Sequence, residues 1–166
     1  MKLKKNRCLK LKPEQQPDRY EDRVYLRKTA MDYLARREHS EQELIRKLTA
    51  RGFDEQLVEA AVAELVADGL LSNTRFAEAF VHSRFQRGSG PQKIRAELRE
   101  RGIDAELCSL CIEAFEEQWW QRVRDVREKK FGAALPGDFK ERSRQMRFLQ
   151  QRGFTSEQIS AAFKDE

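Results

Sequence analysis

The sequence predicts an all-α protein: three tandem three-helix, helix-turn-helix-like repeats forming an elongated, curved molecule behind a basic N-terminal tail. Three observations carry this. A phrase of the form Leu-x-x-Arg-Gly-(Phe/Ile)-(Asp/Thr) occurs as LTARGFD at 48–54, LRERGID at 98–104 and LQQRGFT at 149–155, its arginines 50 and 51 residues apart. Apolar residues around each copy keep helical spacing, and no segment alternates as a strand would. Charged residues (37%) nearly match apolar ones (39%), which suits many helices with narrow apolar stripes better than one thick core.

The phrase reads as a helix stop followed by a restart. With Gly52, Gly102 and Gly153 as left-handed turn residues, Leu48, Leu98 and Leu149 meet Phe53, Ile103 and Phe154 across the turn, the Schellman arrangement. Arg51, Arg101 and Arg152 then sit at helix C-termini, where the dipole favours positive charge. Asp54, Asp104 and Thr155 are N-caps for the next helix, and Thr155 with Gln158 forms a capping-box pair.

The elements follow in order. Residues 1–22 are expected to be a basic, flexible tail: Lys2, Lys4, Lys5, Arg7, Lys10 and Lys12 come with no acid among the first twelve residues. The first repeat spans 23–71. Its first helix, 23–37, is built on Leu26, Ala30, Tyr33 and Leu34. Its second opens with a Ser40–Glu43 capping box and carries Leu44, Ile45 and Leu48. Its third carries Leu57, Val58, Ala61, Val62 and Leu65.

The second repeat spans 72–116. Its first helix, 73–86, uses Phe76, Ala77, Phe80 and Val81. Gly90-Pro91 opens the next with proline at the first helical position. The third helix repeats the earlier stripe fifty residues on, with Leu107, Cys108, Cys111, Ile112 and Phe115. The third repeat spans 117–166. Its first helix, 117–131, is expected to bury Trp120, Val123 and Phe131. A longer loop follows at 132–138, and the second helix lacks the Ser-x-x-Glu or Gly-Pro start of the other two.

Catalytic chemistry is not suggested. His39 and His82 lie near helix ends without an evident acid–base partner. Cys108-x-x-Cys111 has the spacing of a metal or redox pair, but the repeat places these residues where Val58 and Ala61 stand, on a buried stripe, so they read as reduced core cysteines. RGSGP is too short for a phosphate-cradling loop. No cofactor, no metal and no enzymatic activity are expected. No apolar run approaches the ~20 residues that cross a membrane. The basic start has no apolar h-region, so a cytoplasmic location and no membrane association are expected.

Charge is more informative. Residues 84–102 carry Arg84, Arg87, Lys93, Arg95, Arg99 and Arg101 against Glu97 and Glu100, and 121–152 carry ten basic side chains against four acidic. Residues 53–72 carry Asp54, Glu55, Glu59, Glu64 and Asp68 and no base. The middle and C-terminal parts therefore present basic surfaces with Phe85, Phe131 and Phe148 interleaved, suited to a polyanion or an acidic partner. The candidate contacts are Arg84, Arg87, Lys93, Arg95 and Arg99 in the second repeat, and Lys129, Lys130, Arg142 and Arg144 in the third. Arg101 and Arg152 lie in the basic stretches and are candidates for a double role, whereas Arg51 is expected to serve only its helix end. Operator reading is disfavoured, because the helix after each turn is acidic or apolar and unsuited to a major groove.

The strings HSEQELIRKL (39–48), GLLSNTRFAEAFVHSRFQRGSGPQKIRAELRERGI (69–103) and FLQQRGFTSEQI (148–159) resemble the RecX family of bacterial recombination regulators, over about residues 24–164. The resemblance implies tandem three-helix units. It also implies binding to the RecA recombinase filament, with inhibition of its ATPase, strand-exchange and coprotease activities. That would place the protein in homologous recombination, DNA repair and the SOS response, with single- and double-stranded DNA as a further ligand. A monomer is expected. The alternative is a general nucleic-acid-binding helical repeat protein.

Overall fold

The structure, a computed structural model, describes residues 23–164; the tail expected at 1–22 lies outside the described residues. Among the described residues there are nine helices and no strand: α1 Arg23–Leu34, α2 Glu41–Thr49, α3 Glu55–Ala67, α4 Asn73–Gln86, α5 Pro91–Arg99, α6 Ala105–Glu113, α7 Glu116–Phe131, α8 Phe139–Arg152 and α9 Ser156–Ala161. The most extensive helix-on-helix packing falls within the triplets α1–α3, α4–α6 and α7–α9. We call these triplets units 1, 2 and 3.

Each turn glycine has positive φ: 93° at Gly52, 77° at Gly102 and 89° at Gly153. In each copy the apolar residue after the glycine donates its amide to the leucine carbonyl, Phe53 to Leu48, Ile103 to Leu98 and Phe154 to Leu149. The glycine amides bond to Thr49, Arg99 and Gln150, which completes the Schellman pattern. The leucines and their partners Phe53, Ile103 and Phe154 are all buried. Asp54, Asp104 and Thr155 cap the next helix through side-chain oxygens, and Thr155 with Gln158 forms the full capping box.

Three expectations need correction. The helix expected over 23–37 ends at Leu34, because beyond it Arg37 turns to pair with Glu43. That pairing also leaves the Ser40 box half-formed: Ser40 accepts from the Glu43 amide, while the Glu43 carboxylate faces Arg37. In α7 the buried face is Trp119, Val123 and Arg127, and Trp120 is 37% exposed. Positions 119, 123 and 127 share one helical face, and the arginine on it disguised the stripe. Arg127 is only 3% exposed and donates to the carbonyls of Ala133 and Ala134, so it pins the 132–138 loop. As expected, α8 has neither of the other two starts; it opens instead on Asp138, which accepts from the amide of Glu141.

His39 is structural. It is 1% exposed, its Nδ1 lies 3.0 Å from the Arg37 carbonyl and its Nε2 3.0 Å from Lys47 Nζ. An ammonium can only donate, so Nε2 is the acceptor and Nδ1 carries the proton.

The phrases also join the units. The carbonyl of Arg101 in unit 2 accepts from the Ser40 hydroxyl at the start of α2 (2.7 Å). The carbonyl of Arg152 in unit 3 accepts from the Gly90 amide at the start of α5 (2.7 Å), and Gly153 accepts from Gln92 (2.9 Å). The second joint is the closer one. A Cβ on Gly90 would stand 2.3 Å from the carbonyl carbon of Gly153, whereas Ser40 carries a Cβ in the corresponding place.

Candidate functional site

α4 ends in a further left-handed glycine turn, Gly88 (φ 77°), and α7 is pressed against it: a Cβ at Gly88 would meet Val126 at 2.8 Å. The last carbonyls of a helix carry partial negative charge. Here unit 3 supplies guanidinium groups to them. Arg122 donates to Phe85 (2.9 Å) and Gln86 (2.5 Å), and Arg152 to Arg87 (3.4 Å).

The cleft beside this joint has a volume of about 300 Å³. Arg87 lines it from the end of α4. α7 contributes Arg122, Asp125, Val126, Lys129 and Lys130, which share one face by helical spacing. α8 adds Phe148 and Arg152, with the guanidinium 5.2 Å above the Phe148 ring. A second hollow continues it through Lys130 and Phe148 to Phe131, Arg144 and Arg147. Phe131 and Phe148 meet edge-on at 5.3 Å and form an apolar floor. Among the described residues, the side chains of Arg87, Lys129 and Lys130 have no ion-pair partner. Their charge is therefore directed to solvent, beside a floor on which flat or apolar groups can rest.

The sequence candidates divide accordingly. Arg87, Lys129, Lys130 and Arg144 line this track. Arg84 lies 2.7 Å from Glu97 and 4.8 Å from the Phe80 ring, so its charge is engaged within unit 2. Lys93 packs at the Gly153 turn, where a Cβ on that glycine would meet its backbone nitrogen at 2.6 Å. Arg95 lines a separate hollow with Glu113, Glu116 and Glu157. Arg99 is exposed on α5, and Arg142 sits 5.4 Å above the Phe163 ring. Arg101 lies 4.8 Å over Phe80 and Arg51 5.8 Å over Tyr33, so the arginine of every phrase rests on a ring. Sequence reasoning did not single out Arg122 and Arg147. The signal for Arg122 was its spacing to Asp125, Val126 and Lys129 along one face of α7.

What this arrangement can do is hold anions. It offers no proton-transfer pair or nucleophile. Cys108 and Cys111 are buried in the core, and burial pushes both thiols above their ordinary pKa, which keeps them protonated and unreactive. Among the described residues no group of histidine, cysteine and acidic side chains could hold a metal ion, and no helix is long and apolar enough to cross a membrane.

Comparison with known proteins matches the three family models described as the first, second and third three-helix domains of RecX, to residues 27–65, 72–109 and 116–163 respectively. The chain is 46% identical over 137 residues to the regulatory protein RecX of Halorhodospira halophila, covering 82% of this chain and 85% of that protein. It is 44% identical over 137 residues to the RecX of Pseudomonas fluorescens Pf-5, covering 82% and 88%. Among solved structures, a crystal structure of regulatory protein RecX superposes with a TM-score of 0.72 at 20% identity, covering 83% of this chain and 70% of that one. The RecX of Lactobacillus salivarius superposes with a TM-score of 0.72 at 17% identity, covering 84% and 93%. At such identities the two structures speak for the fold.

Proposed function

The chain belongs to the RecX family and is a regulatory protein rather than an enzyme; from that premise we propose that it binds the RecA recombinase filament and restrains its ATPase, strand-exchange and coprotease activities. The observation that supports this best is the basic track of Arg87, Lys129, Lys130 and Arg144 between units 2 and 3. A linear array of units can touch several protomers of a filament at once, and many weak contacts then act together. Inhibition by blocking a subunit interface or a filament end needs no catalytic group. In this reading the functional divisions are 23–71, 72–116 and 117–166, the protein is a cytoplasmic monomer, and DNA shares the basic track with acidic surfaces of RecA. Arg84, Lys93, Arg95, Arg99 and Arg142 are further contacts of lesser weight.

The test is RecA ATPase on single-stranded DNA with this protein titrated in. Inhibition that saturates at a defined ratio to RecA is expected. No inhibition at any ratio, together with tight, steeply salt-dependent binding to bare DNA, would replace this reading with that of a general nucleic-acid-binding protein.

A further inference from the structure

The described residues form two separate buried cores. Leu26, Leu44, Leu48, Val58, Leu65 and Leu71 belong to the core of unit 1. A single second core runs from Phe76 through Trp119 to Phe163 and so spans units 2 and 3. The joints differ to match. Across the second, Phe85 lies 4.9 Å from Trp119, and backbone bonds run from Gly90 to Arg152 and from Gln92 to Gly153.

Across the first joint, each bond involves a side chain. Ser40 reaches the Arg101 carbonyl (2.7 Å) and Arg46 the Glu100 carbonyl (3.0 Å). Asn73 bonds Glu41 twice, accepting from its amide (3.0 Å) and donating to its carboxylate (2.8 Å). Arg75 pairs with Glu38 (2.9 Å) and reaches back to the carbonyls of Gly69 and Leu70.

We infer that units 2 and 3 move as one body, and that unit 1 is an arm swinging about the Leu71–Ser72 connection, latched by a polar clasp of Ser40, Glu41, Asn73 and Arg75. Opening the clasp moves no core side chain into water, and water satisfies the freed donors and acceptors. Opening the second joint would expose Trp119 and Phe85, which the hydrophobic effect opposes. Leu71 is the last residue of one core and Ser72 is the N-cap of α4, so the pivot lies between two rigid bodies. The arm sets the distance from unit 1 to the basic track. A partner that touches both selects one setting of the arm, whatever its identity.

Amide hydrogen exchange on the full chain tests this. The Glu41 amide is bonded across the first joint and the Gln92 amide across the second. After correction for intrinsic rates, Glu41 is expected to exchange at least about tenfold faster than Gln92. In the double variant Asn73→Ala/Arg75→Ala the Glu41 amide should quicken further, with Gln92 and the core amide of Leu48 unchanged. Equal protection at the two joints overturns the inference. So does exchange of Glu41 only in step with Leu48, which would mean that unit 1 unfolds rather than swings.

Discussion

The Ser40 hydroxyl donates to the carbonyl of Arg101 at 2.7 Å while its oxygen accepts from the amide of Glu43 at 3.1 Å. One side chain thus begins a helix in unit 1 and holds the turn of unit 2. Gly90 holds the turn of unit 3 with its backbone amide alone. Ser40→Ala should cost about 1–2 kcal/mol from the lost cap and bond. Ser40→Gly should cost less, since glycine is itself a tolerated N-cap. Urea denaturation of the two variants compares them; equal losses would mean that cap geometry is not what Ser40 contributes.

The turn glycines should differ in their tolerance of alanine. Gly153, Gly102 and Gly69, the last just past the end of α3, have φ of 89°, 77° and 68°, which alone costs about 1 kcal/mol or more at each. At Gly153 a Cβ would also meet Lys93 Cβ at 2.4 Å and its backbone nitrogen at 2.6 Å; at Gly102 it would meet the Gln42 side chain at 2.8 Å; at Gly69 it would meet nothing. A backbone neighbour cannot yield as a long side chain can. The expected order of destabilisation in thermal melts is Gly153→Ala, then Gly102→Ala, then Gly69→Ala. Equal shifts would reduce the effect to φ alone.

Much of the fold was legible in the sequence because its punctuation is local. A glycine four residues after a leucine and one before an apolar residue specifies a Schellman turn through contacts within seven residues. The stripe on α6 was legible because α3 repeats it, which placed Cys108 and Cys111 correctly. What stayed unread was charge in buried places. Arg127 and His39 satisfy themselves through carbonyls and Lys47 that come together only in the folded chain. The basic track was half legible for the same reason. Arg87 and Lys129 are far apart in sequence, and they meet in one cleft because α7 packs against the end of α4, with Arg122 bonded to its last carbonyls.

Charge reversal should sort the basic residues. Arg87→Glu, Lys129→Glu and Lys130→Glu together should weaken binding to the RecA filament by about a hundredfold or more, and flatten its salt dependence. These side chains are exposed or at a helix end, so the far-UV circular dichroism should not change. Arg95→Glu, placed among Glu113, Glu116 and Glu157, should weaken binding less. A larger loss for Arg95→Glu would move the binding surface to the opposite hollow.

Stability should fall in mild acid through His39. Burial, followed by repulsion from Arg37 and Lys47, lowers its pKa below the ordinary 6.5, outweighing the bond to the Arg37 carbonyl. The unfolded chain therefore takes up a proton that the folded chain resists. The contribution is complete above about pH 6.5 and is lost as pH falls below it, by at most about 1.4 kcal/mol per unit. His39→Asn should flatten this slope below about pH 6.5 in chemical denaturation. An unchanged slope would assign it to other groups.

The thiols give a simple check on the core. Iodoacetamide at neutral pH should leave Cys108 and Cys111 unmodified by mass spectrometry in the folded protein and label both in urea. Labelling of either in the folded state would mean that α6 opens readily.

The closeness of Gly90 to Gly153 also bears on how such a chain can be rearranged. Ser40 and Gly90 stand at corresponding starts of α2 and α5, yet only the first position has room for a Cβ. A gene fusion that placed a copy of unit 1 in the middle slot would drive a serine into the backbone of its neighbour. The modules share a blueprint without being interchangeable, and their order is written in the width of one methyl group.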